Sequence, residues 1–409
     1  MSSNNNPRLT VVAPTFPPQV SGSTILLTNL LSSYSGKLNA IAGYDRYCRS
    51  DPAFLAPCPT QRLRLPSTFP VLYDRLSRRF PQSVCLSIRK SIHRILKKSG
   101  SKVVLATFPY DINLVATFLA ARELNLPFYV HMHDLWTENM RFGTAATRFA
   151  EKWEPVVLRE STRVLCMTET MQKHYEKKYR IRTELLPHTV PEKDCLNAPA
   201  EMRPPRLPGP TVLFVGAVSF PMNLDALKVL ARASELLPPE YELLYCTSWD
   251  VATLNRSGIQ SGRLRVRYVT RAEVQRLQSE AHVLVAPLSH KNCSLDEVRT
   301  VFSTKLLEYL VSGRPIVVFA PEDSYHAVSA KKHGWGYVVT EDSPVALAAA
   351  IEKVVLDQNL AARLVHGALQ EAQSRRAKRH ARKLLEWVLT DAEDHSNKAS
   401  VRMKSAVSN

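Results

Sequence analysis

PEKDCLNAPAEMRPPRLPGPTVLFVGAV (191–218) holds the decisive boundary of this chain. Residues 191–210 are rich in Pro and polar side chains and carry no apolar period, as a connection between domains should. TVLFVGAV (211–218) is a continuous apolar run and reads as a buried parallel strand. A loop follows, then LDALKVLARASELL (224–237), apolar at helical spacing. A strand-loop-helix unit therefore starts afresh after residue 210.

The same alternation runs outward in both directions. Toward the N-terminus lie RLTVVA (8–13), closed by Pro14, the loop PTFPPQVSGS and the helix pattern TILLTNLLSSY. VVLATF (103–108), FYVHMHD (128–134), RVLCMT (163–168) and ELLPHTV (184–190) are further strands, separated by helix patterns such as INLVATFLAARELN and MQKHYEKKY. Toward the C-terminus, YELLYCT, LRVRYV, HVLVAPL and RPIVVFA are strands, and VFSTKLLEYLVSG, ALAAAIEKVVLD and the stretch 360–389 are helical. Two such successions predict two Rossmann-like, doubly wound α/β domains. The expected division is a first domain over 1–195, a linker over 196–210, a second domain over 211–370, a helix over 371–393 returning to the first domain, and a polar, disordered tail over 394–409. Ligands bind beyond the carboxyl ends of such strands, so the two sets of ends are expected to face a central cleft.

Bulk composition narrows the function. A chain of 409 residues, 45% hydrophobic, is long enough for two cores. Its seven Cys are scattered without a C-x-x-C pair, which fits reduced thiols packed as small hydrophobes. MSSNNNPRLTVVAP has no basic region followed by an apolar core, and no run of about 18 apolar residues occurs, so a cytoplasmic protein is expected. The net charge of +17 is uneven: residues 1–195 hold 27 Lys+Arg against 15 Asp+Glu. Between Arg62 and Lys102 stand 11 basic residues and one acid, Asp74, with Phe69, Tyr73 and Phe80 interleaved. Within that band SIRKSIHRILKK (87–98) places Ile88, Ile92 and Ile95 at helical spacing among cations. The alternatives are an interfacial helix on an anionic membrane and an ordinary helix with its apolar face in the core. Nucleic acid is not expected as a partner, because no helix-turn-helix, zinc-finger spacing or RNP-type strand accompanies the charge.

The chemistry concentrates in VRTVFSTKLLEYLVSGRPIVV (298–318). Ser303 or Thr304 can cap a helix running to Val311, and Lys305 sits in its first turn, where free amides favour anions. Glu308, three residues on, shares a helix face with Lys305. Such a set suits a nucleoside diphosphate, with amides and Lys305 on phosphate and Glu308 on the ribose hydroxyls. The competing reading is a capped amphipathic helix with an ion pair between Lys305 and Glu308.

This string resembles the donor-binding signature of the GT-B retaining glycosyltransferases of family 4, also called group 1. Arg299, Thr300, Lys305, Leu306, Glu308, Tyr309, Leu310, Gly313, Arg314, Pro315 and Ile316 match a variant of the pattern, R-T-x-x-P-S-K-L-x-E-Y-L-x-x-G-[KR]-P-I. The chain departs from the commoner form at Thr300, which stands where relatives carry an acid near the sugar. VLFVGAVSFPMNLDALKVLARA (212–233) is similar to the opening of the family's donor domain, but Ala217 and Pro221–Asn223 replace the usual Arg and Lys. The resemblance implies that Lys305 and Arg299 supply the positive charge, and that Ser303, Thr304 and Gly216 lie at the donor nucleotide with Glu308.

VHMHDLWTE (130–138) resembles the family's H-D-L-W-P segment, which implies His133 and Asp134 at the sugar or acceptor. PPQVSGSTILL (17–27) is similar to its glycine-containing loop, with Gly22 approaching the ligand and Ser23 capping the helix behind it. His133, Lys305 and Arg299 are thus the candidate catalytic residues, and Gly22, Ser23, Asp134 and Thr300 the candidates for sugar and acceptor. The resemblance also implies a nucleotide-diphospho-sugar donor and a saccharide or lipid-linked acceptor, with no metal or other cofactor. An epimerase of the same fold acting on nucleotide-sugars and an inactive partner subunit are the alternatives.

Overall fold

The computed structural model describes residues 6–43, 48–63, 70–138, 144–220, 222–291 and 294–407; Phe69, Pro221 and Cys293 fall outside them. It divides into two compact units, one of Met1–Thr189 with Ala377–Asn409, the other of Val190–Arg376.

In the first unit the inner strands are near-continuous apolar runs, because a strand covered on both faces can afford no polar side, and short, more polar strands close the edges. Numbered along the chain, these are β1 (Leu9–Ala13), β2 (Leu38–Ala42), β3 (Thr60–Arg62), β4 (Val103–Phe108), β5 (Phe128–Met132), β6 (Arg163–Cys166) and β7 (Glu184–Leu185), in the spatial order β3-β2-β1-β4-β5-β6-β7. The pairings within this sheet are parallel; Val11 of β1 sits between Ala40 of β2 and Leu105 of β4. The order reverses at β1, so the crevice beyond the ends of β1 and β4 is the switch point. One face packs Val104 and Ala106 against Ile88, Ile92 and Leu96. The other packs Val11 and Leu105 against Leu27, Leu30, Leu384 and Val388.

The second unit repeats the plan with β8 (Thr211–Val215), β9 (Glu242–Cys246), β10 (Leu264–Arg267), β11 (Val283–Pro287), β12 (Ile316–Phe319) and β13 (Tyr337–Val339), ordered β10-β9-β8-β11-β12-β13 and parallel throughout. Its switch point lies between β8 and β11.

Three expectations are corrected. The linker expected over 196–210 lies inside the second unit, which starts at Val190, and Arg314 donates to the Arg203 carbonyl within it. The tail is not disordered from 394, because the C-terminal helix runs from Ala377 to Val407. Asp391 anchors it through Arg163 (2.6 Å), and no Gly or Pro follows to end it. Finally, the isoleucines of the basic stretch are not an interfacial face. Helices α1 (Gly22–Leu31), α2 (Pro70–Arg79) and α3 (Pro81–Ser99) precede β4, and Ile88 and Ile92 of α3 are buried in the core, with Ile95 packed beside them.

Candidate functional site

In the second unit, the chain leaves β8 through Gly216 at φ +139°, a conformation that side chains rarely adopt. A Cβ at this position would lie 2.8 Å from Lys305 Nζ, so the glycine makes room for the ammonium. Lys305 opens α4 (Lys305–Leu310), whose Tyr309 hydroxyl accepts the Val215 N–H at 3.0 Å and locks the helix onto β8. The ammonium stands 4.4 Å from the centre of the Phe214 ring. Among the described residues no carboxylate pairs with it. Burial pushes its pKa down to about 8.

Glu308 lies on the same short helix but meets a different neighbour: it accepts from Gln278 Nε2 at 3.1 Å. It lines a cavity of about 390 Å³ with Lys193, Asn197, Arg203, Gln275 and Arg276. No ion pair joins Lys305 to Glu308.

The rest of the motif mostly builds the fold. Ser303 N–H donates to His326 Nε2 at 3.1 Å, so this amide is already engaged. Thr304 is the N-cap but makes no side-chain cap bond, and the helix ends at Leu310 rather than Val311. Arg299 does not join Lys305: its Nε is 2.5 Å from Asp323 Oδ2 and a second nitrogen is 3.6 Å from Asp296, so two carboxylates answer its charge. Thr300 is buried and donates to the Asp296 carbonyl at 2.8 Å. Gly313 takes a left-handed turn (φ +73°), and a Cβ there would lie 2.5 Å from Pro199 Cγ. Arg314 donates to the His282 carbonyl at 2.9 Å as well as to Arg203, and burial pushes its pKa down to about 10.

In the first unit, His133 follows β5 and is buried, its backbone N–H on the Phe108 carbonyl at 3.3 Å. Burial, then His131 and His188, hold it well below the usual imidazole range, so it is neutral. Asp134 is half-buried in the loop beyond, while Leu135 and Trp136 of the same segment are core. The helix cap after β1 is Ser21, not Ser23: Ser21 Oγ accepts Thr24 N–H at 3.1 Å, with Gly22 and Ser23 inside the first turn. Ser21 bends back on Thr15 and Thr24 in a three-hydroxyl cluster.

Three histidines escaped the reading of the sequence. His131 bonds His133 at 3.1 Å, the His188 ring stands 5.5 Å from that of His133, and His326 holds Ser303. The first was legible in principle, since residues two apart at a strand share a face. The other two come from distant segments.

Residues 209–357 match the family described as glycosyl transferases group 1, and residues 36–188 match the glycosyl transferase 4-like domain. No curated protein matches the sequence significantly. Solved structures of like fold include a sucrose-phosphate synthase from Thermosynechococcus elongatus, 15% identical, covering 93% of this chain and 98% of that one, TM-score 0.67. Anabaena HepE in complex with UDP is 14% identical over 93% and 99%, TM-score 0.64. A glycosyltransferase from Rickettsia africae is 15% identical over 95% and 99%, TM-score 0.66. At such identities the likeness is one of fold. With the two matches covering most of each unit, and two Rossmann-like units present, the chain belongs to the GT-B glycosyltransferases of group 1, family 4-like.

Proposed function

We propose that this protein is a retaining glycosyltransferase that moves a sugar from a nucleotide-diphospho-sugar to a saccharide or lipid-linked acceptor in cell-surface polysaccharide synthesis. The observation that carries the reading is Lys305, a desolvated ammonium with no carboxylate partner among the described residues, cradled by Gly216 at the carboxyl end of β8. A cation kept this way is poised for an anion that arrives with the substrate, because an incoming phosphate restores the solvation that burial removed. As the bond from the anomeric carbon to the diphosphate breaks and the acceptor oxygen takes its place, charge grows on the leaving oxygen. Lys305 stabilises that charge, and the acceptor proton leaves with the diphosphate.

Glu308 reads the ribose from the adjoining cavity, and Ser303, Thr304 and Gly216 shape the backbone around the nucleotide. Arg299 is left with a supporting part, since its guanidinium already holds Asp323 and Asp296. His133, Gly22, Ser23, Asp134 and Thr300 remain the candidates for sugar and acceptor. In this reading side chains, not a metal, neutralise the diphosphate. HepE is known in complex with UDP and with UDP-glucose, which makes UDP-sugars the first donors to try. A thermal-shift screen against UDP-, GDP- and ADP-sugars, followed by nucleotide release with glycan acceptors, tests the proposal. Conversion of the nucleotide-sugar to its epimer without release of nucleotide would overturn it in favour of an epimerase.

We also propose that the protein is cytoplasmic and docks on an anionic membrane through α2 and α3. Arg75, Arg78, Arg79, Lys90, Arg94, Lys97 and Lys98 are exposed there, and Phe80 (50% exposed) and Leu72 (47%) stand among them. Among the described residues no helix is long and apolar enough to cross a membrane. Docking of this kind is electrostatic. Co-sedimentation with phosphatidylglycerol vesicles should vanish in high salt; binding indifferent to salt contradicts it.

A further inference from the structure

The buried histidines of the first unit form a directed chain. His131 Nε2 lies 2.9 Å from the Leu186 carbonyl, which can only accept, so that nitrogen carries the proton. His131 is fully enclosed and neutral, its pKa pushed down to about 4 by burial. Its Nδ1 is therefore a lone pair, and it stands 3.1 Å from His133 Nε2, which must be the donor. His133 is neutral as well, so its own Nδ1 is also a lone pair. This last atom is buried and has no hydrogen-bond partner among the described residues.

We propose that His131 is a positioning residue: with the Leu186 carbonyl it fixes His133 in the Nε2–H tautomer and commits His133 Nδ1 to accept a hydrogen bond from a substrate hydroxyl. The inference rests on the transferase reading for the substrate, and for the tautomer on hydrogen-bond geometry together with the burial that keeps both rings neutral. It has a chemical consequence. A lone pair facing a phosphate or carboxylate oxygen repels it, so the group met by His133 is a hydroxyl of the sugar or acceptor, not the diphosphate. A three-segment construction explains why β7 matters, for its following residue Leu186 supplies the terminal acceptor of the chain.

The test uses the full chain labelled with ¹⁵N-histidine, with His133 assigned by the signals lost in His133→Asn. Long-range ¹H–¹⁵N spectra of the free protein should show His133 as a neutral Nε2–H ring. His131→Leu removes the acceptor and should shift His133 toward Nδ1–H. His131→Gln, which can both donate to Leu186 and accept from His133, should restore the original tautomer. With UDP-glucose as the probe, release of UDP should fall about tenfold in His131→Leu, the worth of one hydrogen bond, and recover most of that loss in His131→Gln. A wild-type His133 found as Nδ1–H overturns the proposal, as does a His131→Leu tautomer identical to wild type. A tautomer that switches while turnover is unchanged overturns the substrate role. Because the tautomer is read without ligand, failure of the wild type to turn over UDP-glucose counts against the donor and not against the histidine chain.

Discussion

Lys305→Met separates function from stability more sharply than any other change. Holding the ammonium where its pKa falls from 10.5 to about 8 costs the folded protein about 3 kcal/mol at neutral pH. The Phe214 ring returns about 1 kcal/mol as a cation–π contact, which leaves a net cost of about 2 kcal/mol. Methionine keeps the stem over Phe214 and Gly216 without the charge. The variant should therefore melt roughly 4–8 °C higher than wild type in the absence of ligand, on the scale of domains of this size. Nucleotide release should meanwhile fall at least 10²-fold, as on removal of a donor in an oxyanion-type site. The pH dependence has a definite sign. Above about pH 8 the folded protein loses this proton, whereas the unfolded chain keeps it to about 10.5. The penalty is thus complete below pH 8 and disappears toward pH 10.5, so wild-type stability gains on that of the variant across the window. Donor affinity runs the other way, full below pH 8 and declining above it. Differential scanning calorimetry of both proteins from pH 7 to pH 10 reads the first effect, and calorimetric titration with nucleotide-sugar reads the second. A variant that melts lower than wild type would show that Lys305 is a structural cation and would refute the reasoning.

Glu308→Gln should weaken donor binding about tenfold while changing kcat less than about threefold, the loss of one charged hydrogen bond; the opposite split assigns Glu308 to the chemical step. Arg299→Gln should leave turnover within about threefold, because Asp323 and Asp296 already answer its charge; a hundredfold loss restores it to the phosphate site. Ser21→Ala should cost about 1 kcal/mol in urea unfolding, and Ser23→Ala a few tenths; equal effects contradict the observed cap. Gly313→Ala should destabilise by about 2 kcal/mol, through the left-handed backbone and the contact with Pro199; an unchanged melting temperature sinks that account.

The sequence by itself determined the two βα successions, because strands covered on both faces must be continuous apolar runs. VVLATF stands where it was read, and TVLFVGAV forms a strand over Thr211–Val215, shorter than expected because the chain turns away at Gly216. It also determined the signature from Arg299 to Ile316, and so the family. The short strand Leu38–Ala42 went unread, since Asn39 breaks the apolar run; the Thr10 hydroxyl on the neighbouring strand donates to its side-chain oxygen at 2.7 Å, which helps make that asparagine acceptable in the core. Tertiary structure alone decided the division of labour within the signature. Arg299 and Lys305 are equally basic on paper, but one meets Asp323 and the other meets Phe214 and a glycine, and the charge of each is worth what its surroundings leave unanswered. The tautomer of His133 likewise depends on Leu186, a residue some fifty positions away whose carbonyl only the fold brings within reach. Local patterns carry periodicity and turn chemistry, whereas desolvation and hydrogen-bond direction are set by which distant segments close around a group.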